Sequence, residues 1–162
     1  GESCAGAAAL AGLLGFSTCQ ETPAAPAQPA FYRDLGSPGA VVDAEQARAM
    51  ISAYRLNAGL NVVRLDPALT TIAKREAAAM AASDKPASAD AVKARLRREG
   101  VTGAEVNVSA GYRRLAEAFS GWRDSPQHDR VMKARSAARM GLATAFAPGS
   151  KYQVYWVLVM AQ

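Results

Sequence analysis

Trp122-Arg123-Asp124-Ser125-Pro126-Gln127-His128 is the stretch on which the fold turns. Just upstream, Leu115, Phe119 and Trp122 recur at i, i+4 and i+7, which is one apolar face of a helix. The run then meets Ser125-Pro126. Proline is tolerated at the first helical position because its missing N–H would have no partner there, and a serine before it can cap the new helix. The spacing therefore predicts two helices meeting at a corner, with His128 in the first turn of the second. A helix N-terminus disfavours added positive charge, so the imidazole is expected to stay neutral. His128 is the only histidine in the chain, whereas a catalytic zinc site normally takes three protein ligands.

Outward from this corner the chain alternates helices and strands. Asp43-Ala44-Glu45-Gln46 has the form of a capping box and opens a helix that Gly59 stops. Ala47, Met50, Ile51 and Tyr54 form its apolar stripe. Asp66-Pro67 opens a second helix with Leu69, Ile72, Ala73, Glu76 and Met80 on one side. Glu76 is expected to be a boundary residue paired with a nearby base rather than a cleft acid. A third helix, from Ser88 to Glu99, has few apolar residues and is expected to be peripheral. Glu105 to Ser109 alternates like a strand, and a helix from Tyr112 to Trp122 follows. Arg139 to Phe146 and Tyr152 to Met160 read as strands joined by the turn signal Pro148-Gly149-Ser150. The unbroken apolar run from Tyr155 to Met160 suits a central strand covered on both faces.

Taken in order, these pieces resemble the CAP superfamily, the SCP-like domains of cysteine-rich secretory proteins, antigen 5 and pathogenesis-related 1. Ile51-Ser52-Ala53-Tyr54-Arg55 with Asn57 resembles the family's first helix. Leu65-Asp66-Pro67-Ala68-Leu69 with Ala73 and Met80 resembles its second. Asn107-Val108-Ser109-Ala110-Gly111 is similar to the tail of its Gly-Glu-Asn-Ile motif, and Ser125-Pro126-Gln127-His128 to its Ser-Pro-Gly-His. Met140-Gly141-Leu142-Ala143 and Tyr155-Trp156-Val157-Leu158-Val159 resemble its last two strands. The likeness runs from about Ala44 to Gln162. It implies an α+β fold, an α-β-α sandwich whose mainly antiparallel sheet is flanked by helices.

The resemblance also implies a cleft with two histidines and two acids, and here this chain departs. No histidine follows the second helix. Val106 stands where the motif glutamate belongs, and Glu105, one position off, would point to the opposite face of a strand. Val157-Leu158 replaces a Thr-Gln pair. The cleft motif is thus degenerate: His128 marks it, with Glu105, Asn107 and Ser125 as possible neighbours. Glu105, Glu117, Asp124 and Asp129 are the acids that folding could bring to His128.

The net charge is +5. Residues 1–30 hold Glu2 and Glu21 and no lysine or arginine, so the basic residues gather later, from Lys93 through Arg139. Solvated helix faces are the expected explanation; attraction to anionic headgroups or envelope polyanions is the sharper one. No basic motif interleaved with aromatics is present, so nucleic acid is not an expected partner. The run of small and apolar residues from Ala5 to Phe16 is too short to span a bilayer and suits a signal-peptide core. Phe16-Ser17-Thr18-Cys19 resembles a bacterial lipobox, in which the cysteine is lipidated. A Cys4–Cys19 disulfide and two free thiols are the alternatives. The Pro/Ala-rich stretch after Gln20 suits an extended tether. The chain is expected to divide into a signal and lipobox-like segment over 1–19, a tether and lead-in over 20–42, and a CAP-like domain over 43–162.

A Gly-x-Ser-x-Gly elbow is absent, and Ser125 is explained as a cap. The cysteines lie in the tail. No catalytic residue, metal or cofactor is expected. The expected function is a non-enzymatic binding or scaffold module, lipid-anchored through Cys19 on the periplasmic side of a bacterial envelope. Its partner would be an envelope protein, a lipid or an envelope polymer. The alternatives are a metal-dependent hydrolase, or an apolar-ligand (lipid) binder whose cleft around His128 is made greasy by Val106, Val157 and Leu158.

Overall fold

The structure, a computed structural model, describes residues 28–162. The signal and lipobox-like segment, with Cys4 and Cys19, and the first part of the tether lie outside the described residues. A 3-10 turn (Ala30–Tyr32) leads into α1 (Ala44–Asn57), β1 (Arg64–Leu65), α2 (Pro67–Ser83), α3 (Ala89–Arg98), β2 (Glu105–Ala110), α4 (Leu115–Asp124), α5 (Pro126–Met132), β3 (Arg139–Phe146) and β4 (Val154–Ala161). The sheet order is β1-β3-β4-β2, with β4 antiparallel to both neighbours and β1 parallel to β3.

Local chemistry starts the helices. The Asp43 carboxylate accepts from the Gln46 N–H at 2.9 Å, Asp66 from the Leu69 N–H at 3.0 Å, and the Ser88 hydroxyl from the Ala91 N–H at 3.1 Å. Each supplies an acceptor to a first-turn N–H that has no partner within its own helix. After α1, Gly59 takes φ +77°, the left-handed conformation that glycine adopts without steric penalty.

Strand alternation builds two cores from one sheet. Every residue of β4 is buried. Val154, Trp156, Leu158 and Met160 face α1, α4 and α5, where they meet Ile51, Leu115, Trp122 and Met132. Tyr155, Val157, Val159 and Ala161 face α2 and α3, among Leu69, Ala73, Met80, Val92 and Leu96. The two-residue side-chain period of a strand sends neighbours to opposite faces, so a run apolar at every position fills both layers. The α-β-α sandwich expected from the sequence is the observed one.

Two local expectations need correction. The fourth helix begins at Leu115 rather than Tyr112: Arg114 is extended, and the Tyr112 carbonyl accepts from the Trp156 indole at 2.7 Å. Ser125 occupies the capping position of α5, but its hydroxyl makes no cap bond. It ends α4 and starts α5 at once. The corner is held by backbone instead, with the Asp129 N–H donating to the Ser125 carbonyl at 2.8 Å. The thin apolar content of α3 is Val92 and Leu96, and neither has exposed surface. At i and i+4 both point into the sheet.

Candidate functional site

A cavity of about 450 Å³ opens along β2, the outermost strand on its side of the sheet. Residues 105–108 of β2 form its floor. The start of α3, from Ala87 to Lys93, makes one wall, and Gln127, His128, Arg130 and Val131 of α5 make the other. The walls come from opposite layers of the sandwich, so the cavity is a slot running along the sheet edge.

The sequence motifs meet here in part. His128, Glu105 and Asn107 line the slot, and Ser125 does not. The Asn107 side chain is fully buried, and its amide donates to the His128 carbonyl at 3.0 Å, joining β2 to the first turn of α5. Its other polar atom, Oδ1, is buried with no hydrogen-bond partner among the described residues. The His128 ring makes no hydrogen bond to another described residue. Its backbone carbonyl, not its ring, makes the contact with β2. Burial pushes the imidazole below its ordinary value of 6.5, which favours the neutral form.

The acids considered as partners for His128 are engaged elsewhere. Glu105 reaches around the strand edge to the Lys93 ammonium of α3 at 3.3 Å, bridging one end of the slot. Asp129 accepts from the Tyr54 hydroxyl at 2.5 Å and pairs with Lys133 at 3.0 Å. Asp124 pairs with Arg123, and Glu117 with Arg114. Among the described residues, no three histidines, cysteines or acids are grouped so as to hold a metal. Glu76 accepts two bonds from Arg95 of α3, at 2.8 and 2.7 Å, and its carboxyl lies below the usual range chiefly because of that guanidinium. It is the boundary ion pair the sequence suggested. Val157 and Leu158 lie in the two cores, one on each face, whereas Val106 borders the slot.

One structurally important residue was not singled out from sequence. Arg55 is fully buried, and its guanidinium uses all five donors. They reach the carbonyls of Asn61, Met132, Ala134 and Ala137 and the Asn61 side chain at 2.8 to 3.2 Å. The available signal was its place four residues after Ile51, on the buried stripe of α1.

The model of the cysteine-rich secretory protein family, CAP, matches residues 48–160. No curated protein sequence gives a match. Among solved structures, an outer surface protein from Borrelia burgdorferi superposes with a TM-score of 0.63 at 14% identity, covering 74% of this chain and 92% of that one. An extracellular protein containing an SCP domain from Bacillus anthracis gives 0.60 at 17% identity, over 73% of this chain and 39% of that one. A cysteine-rich secretory protein from Staphylococcus aureus gives 0.59 at 18%, over 72% and 37%. At these identities the structures share the fold, while the family match spans most of the chain in sequence. The chain belongs to the cysteine-rich secretory protein (CAP) family.

Proposed function

We propose that this CAP domain is a non-enzymatic binding module, held at a bacterial envelope by its N-terminal segment, that takes its ligand in the slot between α3 and α5. The observation that carries the reading is the slot itself. It is a cavity of about 450 Å³ in which, among the described residues, the one imidazole stands without a carboxylate partner and the buried Asn107 Oδ1 lacks a donor. A site with a neutral ring, an orphaned acceptor and rim charges such as Asp90 and Arg130 is equipped to hold a polar ligand. The anchoring part rests on the Phe16-Ser17-Thr18-Cys19 stretch and the tether after it. It agrees with the surface and extracellular descriptions of the Borrelia and Bacillus relatives.

Intact mass and metal content of the protein taken from its native membrane test this reading. A mass beginning at an acylated Cys19, without stoichiometric metal, is expected. A stoichiometric metal that His128→Ala abolishes would overturn it in favour of metal-dependent chemistry. One observation favours a second reading, an apolar-ligand binder. A separate cavity of about 270 Å³ lies between the lead-in, α2 and β3, lined by Val41, Val42, Leu142 and Ala143. Lipid co-purifying with the folded domain, and lost on Ala143→Phe, would support that reading over the first.

A further inference from the structure

The register of the sheet fixes which backbone groups of β2 are free. Residues facing each other across an antiparallel ladder alternate between pairs that exchange two hydrogen bonds and pairs that exchange none. The Gly111 N–H donates to the Val154 carbonyl at 2.9 Å, one residue beyond the Ala110–Tyr155 pair. Ala110–Tyr155 is therefore a non-bonded pair, and Ser109–Trp156, Asn107–Leu158 and Glu105–Met160 are the bonded ones. The other edge gives the same phase. The Met140 carbonyl accepts from the Asp66 N–H on the β1 side, so Gly141 and Val159 bond to each other, and Leu158 turns toward β2. It follows that the N–H and C=O groups of Val106 and Val108 point away from the sheet, onto the floor of the slot. They have no backbone or side-chain partner among the described residues.

We propose that the slot takes an extended peptide segment of a partner protein, which pairs with Val106 and Val108 as an added strand. This rests on the binding-module reading and names its ligand class. Peptide N–H and C=O groups are the chemistry that an unpaired strand edge lacks, and main-chain pairing is how exposed edges capture extended segments. A second copy of β2 does not fit, because it would bring its own α3 and α5 walls against these. A lone extended segment carries no such walls.

Alternate side chains of such a segment face opposite walls. The α5 wall offers Arg130, exposed and without an ion-pair partner among the described residues; the α3 wall offers Asp90, likewise exposed and unpaired. Charge complementarity thus selects a segment acidic on the row toward Arg130 and basic or small on the row toward Asp90. Asn107 Oδ1 remains as an acceptor for a donor on the α5 side.

The test uses the full chain and a display library of random octapeptides, from which the best binder is synthesised. Versions N-methylated at alternate residues follow, in each of the two registers. N-methylation removes an N–H and blocks pairing on one edge of the peptide only, and it leaves the protein unmutated. One register is expected to lose at least about tenfold in affinity, the equivalent of a single well-made interaction, with the other unchanged. The Val106 and Val108 amides should become protected on binding, and Arg130→Glu should reverse the preference for acidic residues on one row. Tolerance of N-methylation in both registers, with amide shifts still centred on His128 and Arg130, would overturn strand pairing and leave the binding-module reading standing. The same holds if no octapeptide is selected but a lipid or metal titrates the slot amides. A dimer joined through β2 would also overturn the proposal. If no peptide, lipid or metal perturbs the slot, the underlying reading falls as well.

Discussion

Arg55 carries a charge into the core, with backbone carbonyls and one amide oxygen around it in place of a carboxylate. Burial lowers its pKa, yet an arginine starts so high that it stays protonated. Its five bonds tie the end of α1 to the chain before β1 and to the loop between α5 and β3. Replacing Arg55 with methionine strands those carbonyls in a buried site, so a loss of about 3–5 kcal/mol in urea unfolding is expected, on the scale of a broken buried charge interaction; a loss below about 1 kcal/mol would show the brace to be dispensable. His128 gives a prediction with a definite sign. Its folded pKa lies below 6.5 because the ring is partly buried. Above that value the ring is neutral in both states and contributes nothing to the pH dependence. As pH falls through it, the unfolded chain binds a proton before the folded one does, and stability drops. The difference in unfolding free energy between wild type and His128→Gln should therefore narrow in the wild type's disfavour below about pH 6.5. An NMR titration placing the folded imidazole above 6.5 would contradict the burial assignment.

The contacts between elements depend on a few positions. Gly141 of β3 sits against the first turn of α2, where an added Cβ would overlap the backbone of Leu69 and Thr70. Neither neighbour is a flexible side-chain tip, so Gly141→Ala must push α2 from the sheet. A loss of about 1–3 kcal/mol is expected, as for other overpacked cores, with the thermal midpoint as readout. Between α2 and α3, Glu76→Gln would replace a doubly bonded carboxylate by an amide that cannot accept both Arg95 donors. About 1–3 kcal/mol is expected, more at neutral than at acid pH. The sign follows from the lowered pKa of Glu76: the stabilisation is present above the ordinary carboxylate range and fades as pH falls through the folded value. Helix starts at Asp43 and Asp66 were legible in sequence because a cap is decided within four residues. Ser125 was not, because whether its hydroxyl or its backbone holds the corner depends on how α4 and α5 pack. The two residues of β1 gave no periodicity to read, and only their parallel pairing with Arg139 and Met140 makes them a strand.

Across the whole molecule, one apolar strand explains the architecture and one open edge explains the candidate site. The run from Tyr155 to Met160 was enough to foresee a central strand with helices on both faces, since residues buried on alternate sides need two layers. The site was legible only in fragments. His128, Glu105 and Asn107 stood out individually, and the fold brings them to one slot. That β2 is outermost, and that α3 and α5 flank it from opposite layers, follows from strand order and was written in no local motif. The Arg55 brace was hidden for the same reason, its acceptors being spread between Asn61 and Ala137. The openness of β2 can be measured without any ligand, by native-state exchange of its backbone amides. Asn107 and Ser109 bond to β4 and should be protected, while Val106 and Val108 should exchange at least about a hundredfold faster. Equal protection of all four amides in the free protein would mean that the edge is already paired, and the slot would not be a place for a partner.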